Sequence, residues 1–254
     1  MNVERFAYEF NWAGKTDIGK VRSSNQDKVI LVPELGYFGV ADGMGGLDDG
    51  EICAEYITQA MPIMVKNTSD ALEAIPNAEA ASEKLKAAVS TVSDILYNNQ
   101  NADGYIHCGA TLVSVWLIGG SAVFSWLGDS RGYVLPKYKR TLRQITEDMN
   151  VAALLKANGM LSKEEAENHP GSSQLTAFVG MPAPAETAAA VTELSRGDRI
   201  LLCSDGLYSM LNEKEIIRIL RSSRSPKTVC QRLIEAANAA GGRDNIAAVF
   251  IAIK

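Results

Sequence analysis

Short apolar runs separated by turn-forming residues dominate the chain, and several of the runs stop at an aspartate beside a glycine. Segment 110–118 is apolar at both alternating sets of positions, which predicts a strand covered on both faces. Segments 28–32, 36–41, 121–127, 131–135, 199–203 and 246–253 also predict strands. Gly119-Gly120 predicts the hairpin turn between 110–118 and 121–127. Ala81, Leu85, Ala88, Val92, Ile95 and Leu96 recur at helical spacing, so an amphipathic helix is predicted over about 78–99. A second helix is predicted near 49–65. A third is punctuated by Ser225 as N-cap, Pro226 at its first position and Gly241-Gly242 beyond its end. Its inward stripe includes Val229, Leu233 and Ala237.

Doubly covered strands with long helices inserted between them predict an α+β chain, two stacked sheets flanked by helices. There is no internal repeat, low-complexity tract or Pro/Gly/Ser linker, so residues 1–254 are expected to form one domain. Segment 146–187 is the least regular, with Met160, His169-Pro170-Gly171 and Pro182-Ala183-Pro184, and is expected to be a mobile, flap-like surface insertion.

Composition narrows the partners. The formal charge of −5 and pI near 5.2 argue against nucleic acid or an anionic membrane as the main partner. No apolar stretch reaches the roughly 18 residues that cross a bilayer, and no apolar secretion core follows Met1–Arg5. A cytoplasmic location is therefore expected. Cys53, Cys108, Cys203 and Cys230 are widely spaced in apolar surroundings and are expected to be reduced core residues, not a disulfide framework or metal knuckle.

The candidate chemistry lies in Asp42, Asp129, Asp205 and Asp244, each at or beside a glycine where an apolar run meets a turn. An apolar run broken by Asp-Gly predicts a strand ending at the rim of a sheet. Four carboxylates converging there would need cations to offset their repulsion, and oxygen ligands without histidine suit Mg²⁺ or Mn²⁺. The competing reading is that each aspartate only forms an Asx turn or helix cap.

Other motifs fail. Gly14-Lys15-Thr16 has Glu9 where a phosphate-binding loop needs glycine. A cysteine-dependent phosphatase needs an arginine at a fixed short spacing after its nucleophile, and the four positions hold Gln59, Ser114, Ser209 and Ala236. His107 and His169 are too few and too separated for a zinc triad or a Ser-His-Asp arrangement. Asn67-Thr68-Ser69 and Arg196-Gly197-Asp198 are read as turn chemistry.

Arg22-x-x-Asn25-Gln26-Asp27, Ala41-Asp42-Gly43-Met44-Gly45-Gly46, Gly109-Ala110-Thr111, Gly128-Asp129-Ser130-Arg131, Cys203-Ser204-Asp205-Gly206-Leu207 and Arg243-Asp244-Asn245 occur in that order. Together they resemble the metal-dependent (PPM, 2C-type) protein serine/threonine phosphatases, most of all their bacterial branch. The likeness runs from about Asp17 to the final strand. It implies a four-layer α-β-β-α sandwich of two antiparallel-type sheets with a metal site at one edge. It implies two tightly bound Mn²⁺ or Mg²⁺ ions and a weaker third. Asp42 would bridge two ions with the Gly43 carbonyl on the first, Asp205 and Asp244 would complete the second, and Asp129 with Asp205 would hold the third. Arg22 would clamp the substrate phosphate, while Asp27, Gln26 and Asn245 would support the ligands from behind. Arg22 taken alone has the blander reading of a surface salt bridge. Cys203 and Ser204 are read as structural.

The implied activity is hydrolysis of phosphoserine and phosphothreonine in proteins by a water bridging two metals, in a monomer opposing a bacterial Ser/Thr kinase. A phosphatase acting on an anti-anti-sigma-type protein, a catalytically dead phosphoprotein-binding module and a hydrolase of small phosphoesters are the alternatives. Some positions depart from the family pattern. Gln26 stands where many relatives have glutamate, Ala110 where threonine is usual, and Met149-Asn150 where His-Ser is frequent. Segment 174–180 lacks an arginine often found there, and Met44 occupies the position of a histidine found outside the bacterial branch.

Overall fold

The computed structural model describes residues 6–45, 49–70, 77–100 and 108–254. Ten strands form two five-stranded sheets. The first runs β1 (Phe10–Asp17), β10 (Ile246–Ile253), β9 (Arg199–Cys203), β6 (Arg131–Leu135), β7 (Arg143–Gln144). The second runs β2 (Asp27–Val32), β3 (Tyr37–Gly45), β4 (Cys108–Ile118), β5 (Ser121–Leu127), β8 (Ala188–Glu193). Every strand pairing within the two sheets is antiparallel.

Three apolar clusters hold four layers together. Phe38, Val40, Val113, Val115, Phe124, Val134, Ile200, Leu202, Val249 and Ile251 fill the gap between the sheets. The long helices α1 (Asp49–Asp70) and α2 (Ala78–Gln100) cover the outer face of the second sheet, packing Ile57, Met61, Leu85 and Leu96 on Tyr37, Leu112 and Trp116. The first sheet is covered by α6 (Glu213–Leu220) and α7 (Pro226–Ala239), whose Ile216, Leu220, Val229 and Leu233 meet Leu201, Ala248 and Phe250. Burying each such side chain contributes about 1.5–3 kcal/mol. β4 has all 11 residues buried because both its faces are sheathed, one by helices and one by the other sheet.

Both edges and the capped short helices escape the simple pattern. β1 and β8 are edge strands; β1 mixes Asn11, Lys15 and Thr16 with its aromatics, and β8 opens on three alanines, poor strand formers. β3 continues past the expected stop at residue 41 to Gly45, so Asp42 belongs to the strand and not to a turn after it. The signal for α6 was the capping box Asn212–Glu215, which the structure forms in both directions. The 146–187 segment contains α3 (Val151–Ala157), α4 (Lys163–Glu167) and a 3₁₀ turn over Pro170–Ser173. The last long helix starts as expected, with the Ser225 side chain accepting from Thr228 N.

Two expectations are corrected. Cys53 on α1 and Cys108 at the start of β4 are joined in a disulfide, with Cα atoms 6.4 Å apart. Widely separated in sequence, they are brought together because the helix crosses the outer face of the strand, and only Cys203 and Cys230 are free. Asn67 and Thr68 lie in α1 and not in a turn, and Thr68 Oγ1 donates to Met64 O. Arg196-Gly197-Asp198 is a turn, with Asp198 Oδ2 accepting from Ser195 N. No helix among the described residues is long and apolar enough to cross a membrane.

Thiol titration of the air-oxidised protein in denaturant, without reductant, is expected to count two groups, Cys203 and Cys230. Reduction is expected to lower the Tm, because a bridge closing so long a loop typically contributes about 2–4 kcal/mol. Four titrating thiols and an unchanged Tm would contradict the bridge.

Candidate active site

The site begins where the core between the sheets ends. Side chains alternate across a strand, and on one strand after another a position facing the inter-sheet gap is followed, two residues on, by a polar one. Val29 gives way to Asp27, Val40 to Asp42, Val113 to Thr111, Leu202 to Ser204 and Ala247 to Asn245. Asp42 stands opposite Asp27 on β2 and Thr111 on β4. The polar set thus lies at one end of the gap.

Its floor is hydrogen-bonded. Ser204 Oγ donates to Asp27 Oδ2 at 2.6 Å and accepts from Ala247 N at 2.9 Å, tying the two sheets together. Thr111 and Ser130 join through their hydroxyls at 2.7 Å. Asn245 is a clamp: Oδ1 accepts from Gln26 N, while Nδ2 donates to Ile18 O and Ser24 O. The loop carrying Arg22 is thereby fastened to the start of β10. Arg22 Nη2 reaches Asp244 Oδ2 at 2.8 Å, and Asp244 Oδ1 accepts from Asn245 N.

Asp129 is held from its backbone. Arg131 makes a two-pronged contact with Asp148, at 2.8 and 2.6 Å, and its guanidinium lies 3.6 Å above the Tyr208 ring. The Tyr208 hydroxyl donates to Asp129 O at 3.0 Å. Asp205 opens the short helix α5 (Asp205–Tyr208). Two glycines allow the close approaches involved. A Cβ on Gly43 would stand 2.2 Å from Gly50 O, and one on Gly206 would stand 1.9 Å from Asn245 O. Gly43 N donates to Gln26 O.

The structure therefore brings Asp27, Asp42, Asp129, Asp205, Asp244 and Arg22 into one electrostatic neighbourhood. Burial and then Asp27, Asp205, Asp129 and Asp244 push the Asp42 carboxyl well up. Burial, with Asp205 beside it, pushes Asp129 up to about 7. Asp27 and Asp205 are raised for the same reason, desolvation first and neighbouring acids next. Cys203 is fully buried and its thiol is pushed up, as suits a structural residue. His169 sits on the 146–187 segment, its Nδ1 accepting from Gly171 N; His107 and Gly46 lie outside the described residues. Sequence reasoning missed Thr111, Ser130, Asp148 and Tyr208 as parts of the floor. The signal available was their two-residue step beyond the apolar stripe, or their contact with Arg131.

The donors fit a hard divalent cation. They are all oxygens, they repel one another, and Asp27 Oδ1 is buried with no hydrogen-bond partner among the described residues. No three acids among the described residues close on a single point as a finished cage. The arrangement is an open cluster in which each ion would draw its remaining ligands from backbone and solvent.

The pattern of the family described as Protein phosphatase 2C matches residues 20–248. The chain belongs to the protein phosphatase 2C family. It is 33% identical over 249 residues to a serine/threonine phosphatase, stp, of Listeria monocytogenes serotype 4b (strain F2365), with 93% of each chain covered. The serine/threonine phosphatase of S. agalactiae superposes with a TM-score of 0.85 at 28% identity, covering 97% of this chain and 100% of that one. The catalytic domain of the phosphatase PstP in complex with 2 manganese ions has a TM-score of 0.77 at 27% identity, covering 96% and 98%. The antiparallel four-layer sandwich and metal-dependent phosphatase chemistry expected from the motifs are those of this family.

The raised acids fix a pH signature for the phosphatase without metal. An acid whose folded pKa exceeds its unfolded value binds more protons when folded, so stability rises as pH falls through the folded value and levels off near the unfolded one. For Asp129 that window runs from about 7 down to the ordinary value near 3.9. In EDTA the Tm is expected to climb between pH 8 and pH 5.5, and saturating Mn²⁺ is expected to flatten the climb. A metal-free Tm that falls steadily over this range would contradict it.

Proposed function

We propose that this phosphatase hydrolyses phosphoserine and phosphothreonine monoesters in bacterial proteins, as a cytoplasmic monomer opposing a Ser/Thr kinase. The observation that carries the reading is the acid cluster at the open end of the inter-sheet gap with Arg22 on its rim. We read 1–254 as one catalytic domain and 146–187 as its flap.

Asp42 and the Gly43 carbonyl would hold a first ion, Asp42, Asp205 and Asp244 a second, and Asp129 with Asp205 a weaker third. Bound divalent ions supply charge neutralisation at phosphorus and activation of water. The rest falls to the chain. Arg22 is 55% exposed and Asp244 34%, so their ion pair contributes little and is easily exchanged for phosphate oxygens. A guanidinium offers them parallel donors that lysine cannot copy. Ser204 fixes Asp27 behind Asp42, and Asn245 fixes the strand that presents Asp244. Met44 lies two residues beyond Asp42 on the same strand face. Its thioether cannot protonate a leaving alkoxide.

With Mn²⁺ or Mg²⁺ the protein is expected to turn over a phosphothreonine peptide, and after exhaustive chelation to lose that activity. Asp205→Asn is expected to cut kcat/KM by at least about 100-fold, beyond what changing a ligand's support costs. The same change is expected to raise the metal-free Tm, because it removes one mutually repelling charge. Wild-type turnover at limiting metal, or activity that survives chelation, would refute the assignment.

Arg22→Ala is expected to raise KM for a phosphopeptide about tenfold, the order of one charge-assisted contact. An unchanged kcat/KM would remove the clamp role.

Met44→His is expected to favour alkyl over aryl phosphoesters, since a general acid contributes roughly 10²–10⁴-fold when the leaving group is poor. The wild-type pH–rate profile is expected to lack an imidazole limb. A limb near pH 6.5, the ordinary histidine value, that vanishes in His107→Ala or His169→Ala would overturn this account.

A further inference from the structure

Charge reverses at the other end of the sheets. β9 starts at Arg199 and ends beside Asp205, while β6 starts near Asp129 and runs away toward Pro136. Arg199 and the 136–143 loop therefore mark the end remote from the acid cluster. The turn between α6 and α7 closes on it. Arg199 Nη1 donates to Leu220 O at 2.7 Å, Arg221 Nη2 donates to Lys139 O, and Arg232 Nη1 donates to Ser222 O at 3.1 Å.

In a chain of formal charge −5, residues 213–235 carry Lys214, Arg218, Arg221, Arg224, Lys227 and Arg232 against Glu213, Glu215 and Glu235. These basic side chains are exposed. Among the described residues none of them pairs with a carboxylate. The half-buried Arg199 is lowered from its ordinary value by burial and then by Arg221 beside it. Arg218, Ser222 and Arg232, with Ile219, Glu235 and Ala236, line an open cavity of about 370 Å³. Glu235 is engaged by Gln231 Nε2 at 2.7 Å.

We propose that this cavity is a second phosphate-recognition site, which holds one phosphorylated side chain of a multiply phosphorylated protein while another is hydrolysed at the acid cluster. The proposal rests on the phosphoprotein reading above. The two guanidiniums of Arg218 and Arg232 beside an open cavity suit the acceptor oxygens of a phosphate monoester, while the Ser222 hydroxyl is engaged with Ile219 O at 2.7 Å. No acid cluster lies there, so the group is bound and not cleaved. A flat anionic bilayer would instead engage the outer rim, Lys214, Arg224 and Lys227. The eight residues of β10 span roughly 27 Å at about 3.4 Å per residue, and the cavity, lined from the end of α6 and the middle of α7, lies within that span from the acid cluster. A chain running around the flank needs a spacing of about 12 residues.

The test uses the full chain with Mn²⁺ and two peptides, one singly phosphorylated and one carrying a second phosphate about 12 residues away. The second phosphate is expected to lower KM about 5- to 20-fold by raising the local concentration of substrate. Arg218→Gln and Arg232→Gln are expected to abolish that gain, separately and together, while leaving turnover of the singly phosphorylated peptide within about twofold. In EDTA, inorganic phosphate is expected to shift the Arg218 and Arg232 side-chain NMR signals more than chloride at equal ionic strength, which separates binding of the free anion from docking of a phosphorylated chain. Equal KM for the two peptides, or a gain that survives both substitutions, would overturn the proposal. So would phosphate shifts no larger than those of chloride, or binding only to phosphatidylserine vesicles. Loss of turnover of the singly phosphorylated peptide in wild-type protein would instead refute the phosphoprotein reading itself.

Discussion

Two sheets face each other through a gap only as wide as two layers of side chains, and everything at the site follows from how that gap terminates. The period of two is maintained across the end of the apolar stripe, so the next inward position on each strand must enter the same space. On β2, β3 and β4 those positions are Asp27, Asp42 and Thr111, and Asn245 stands immediately before β10. A one-residue slip in any pairing would turn the polar group into a helix-covered face and an apolar one into the site. The inter-sheet core thus fixes the register, and the register fixes the chemistry.

Such convergence carries an electrostatic cost. Raised carboxyls at Asp27, Asp42, Asp129 and Asp205 show acids placed where water is scarce and neighbours have the same sign. Arg22 offsets part of it from the surface, and Arg131, although bonded to Asp148, offsets part of it at Asp129 and Asp205. Divalent cations, on which the family's chemistry depends, would offset the rest. Gly43 and Gly206 let a helix start and a strand carbonyl approach more closely than any side chain permits, which brings the carbonyl and carboxylate oxygens together.

Much of this was legible in the residues. Apolar runs located the central strands because β4, β5, β9 and β10 are buried on both faces. The Asp-Gly breaks located the rim, and ordered motifs named the family. The edge strands β1 and β8 were not legible, β1 because Asn11, Lys15 and Thr16 interrupt its apolar positions and β8 because it opens on three alanines, whereas the edge strand β2 was read from its apolar run. Ser204 and Thr111 gave no signal as site residues because a single hydroxyl is ambiguous until its facing partner is known. The Cys53–Cys108 bridge was hidden for a related reason: its partners meet only through the packing of α1 on β4. Helix-on-sheet packing is a tertiary fact with no counterpart in local spacing.

The same logic locates the coupling between the irregular segment and the reaction centre. Met149 N donates to Gly128 O at 3.0 Å, and Ala110 and Val179 exchange both backbone hydrogen bonds, at 3.1 and 2.9 Å. Gly128 adjoins Asp129, and Ala110 adjoins Thr111, which faces Asp42. Met149 and Thr176 are joined in turn by a bond of 2.8 Å. The segment is therefore fastened one residue from Asp129 and one residue from Thr111, both at the site end of the second sheet. Main-chain hydrogen bonds thus link it to the residues beside Asp129 and Thr111. Met149, Asn150 and residues 174–180 fall on or beside these fastenings.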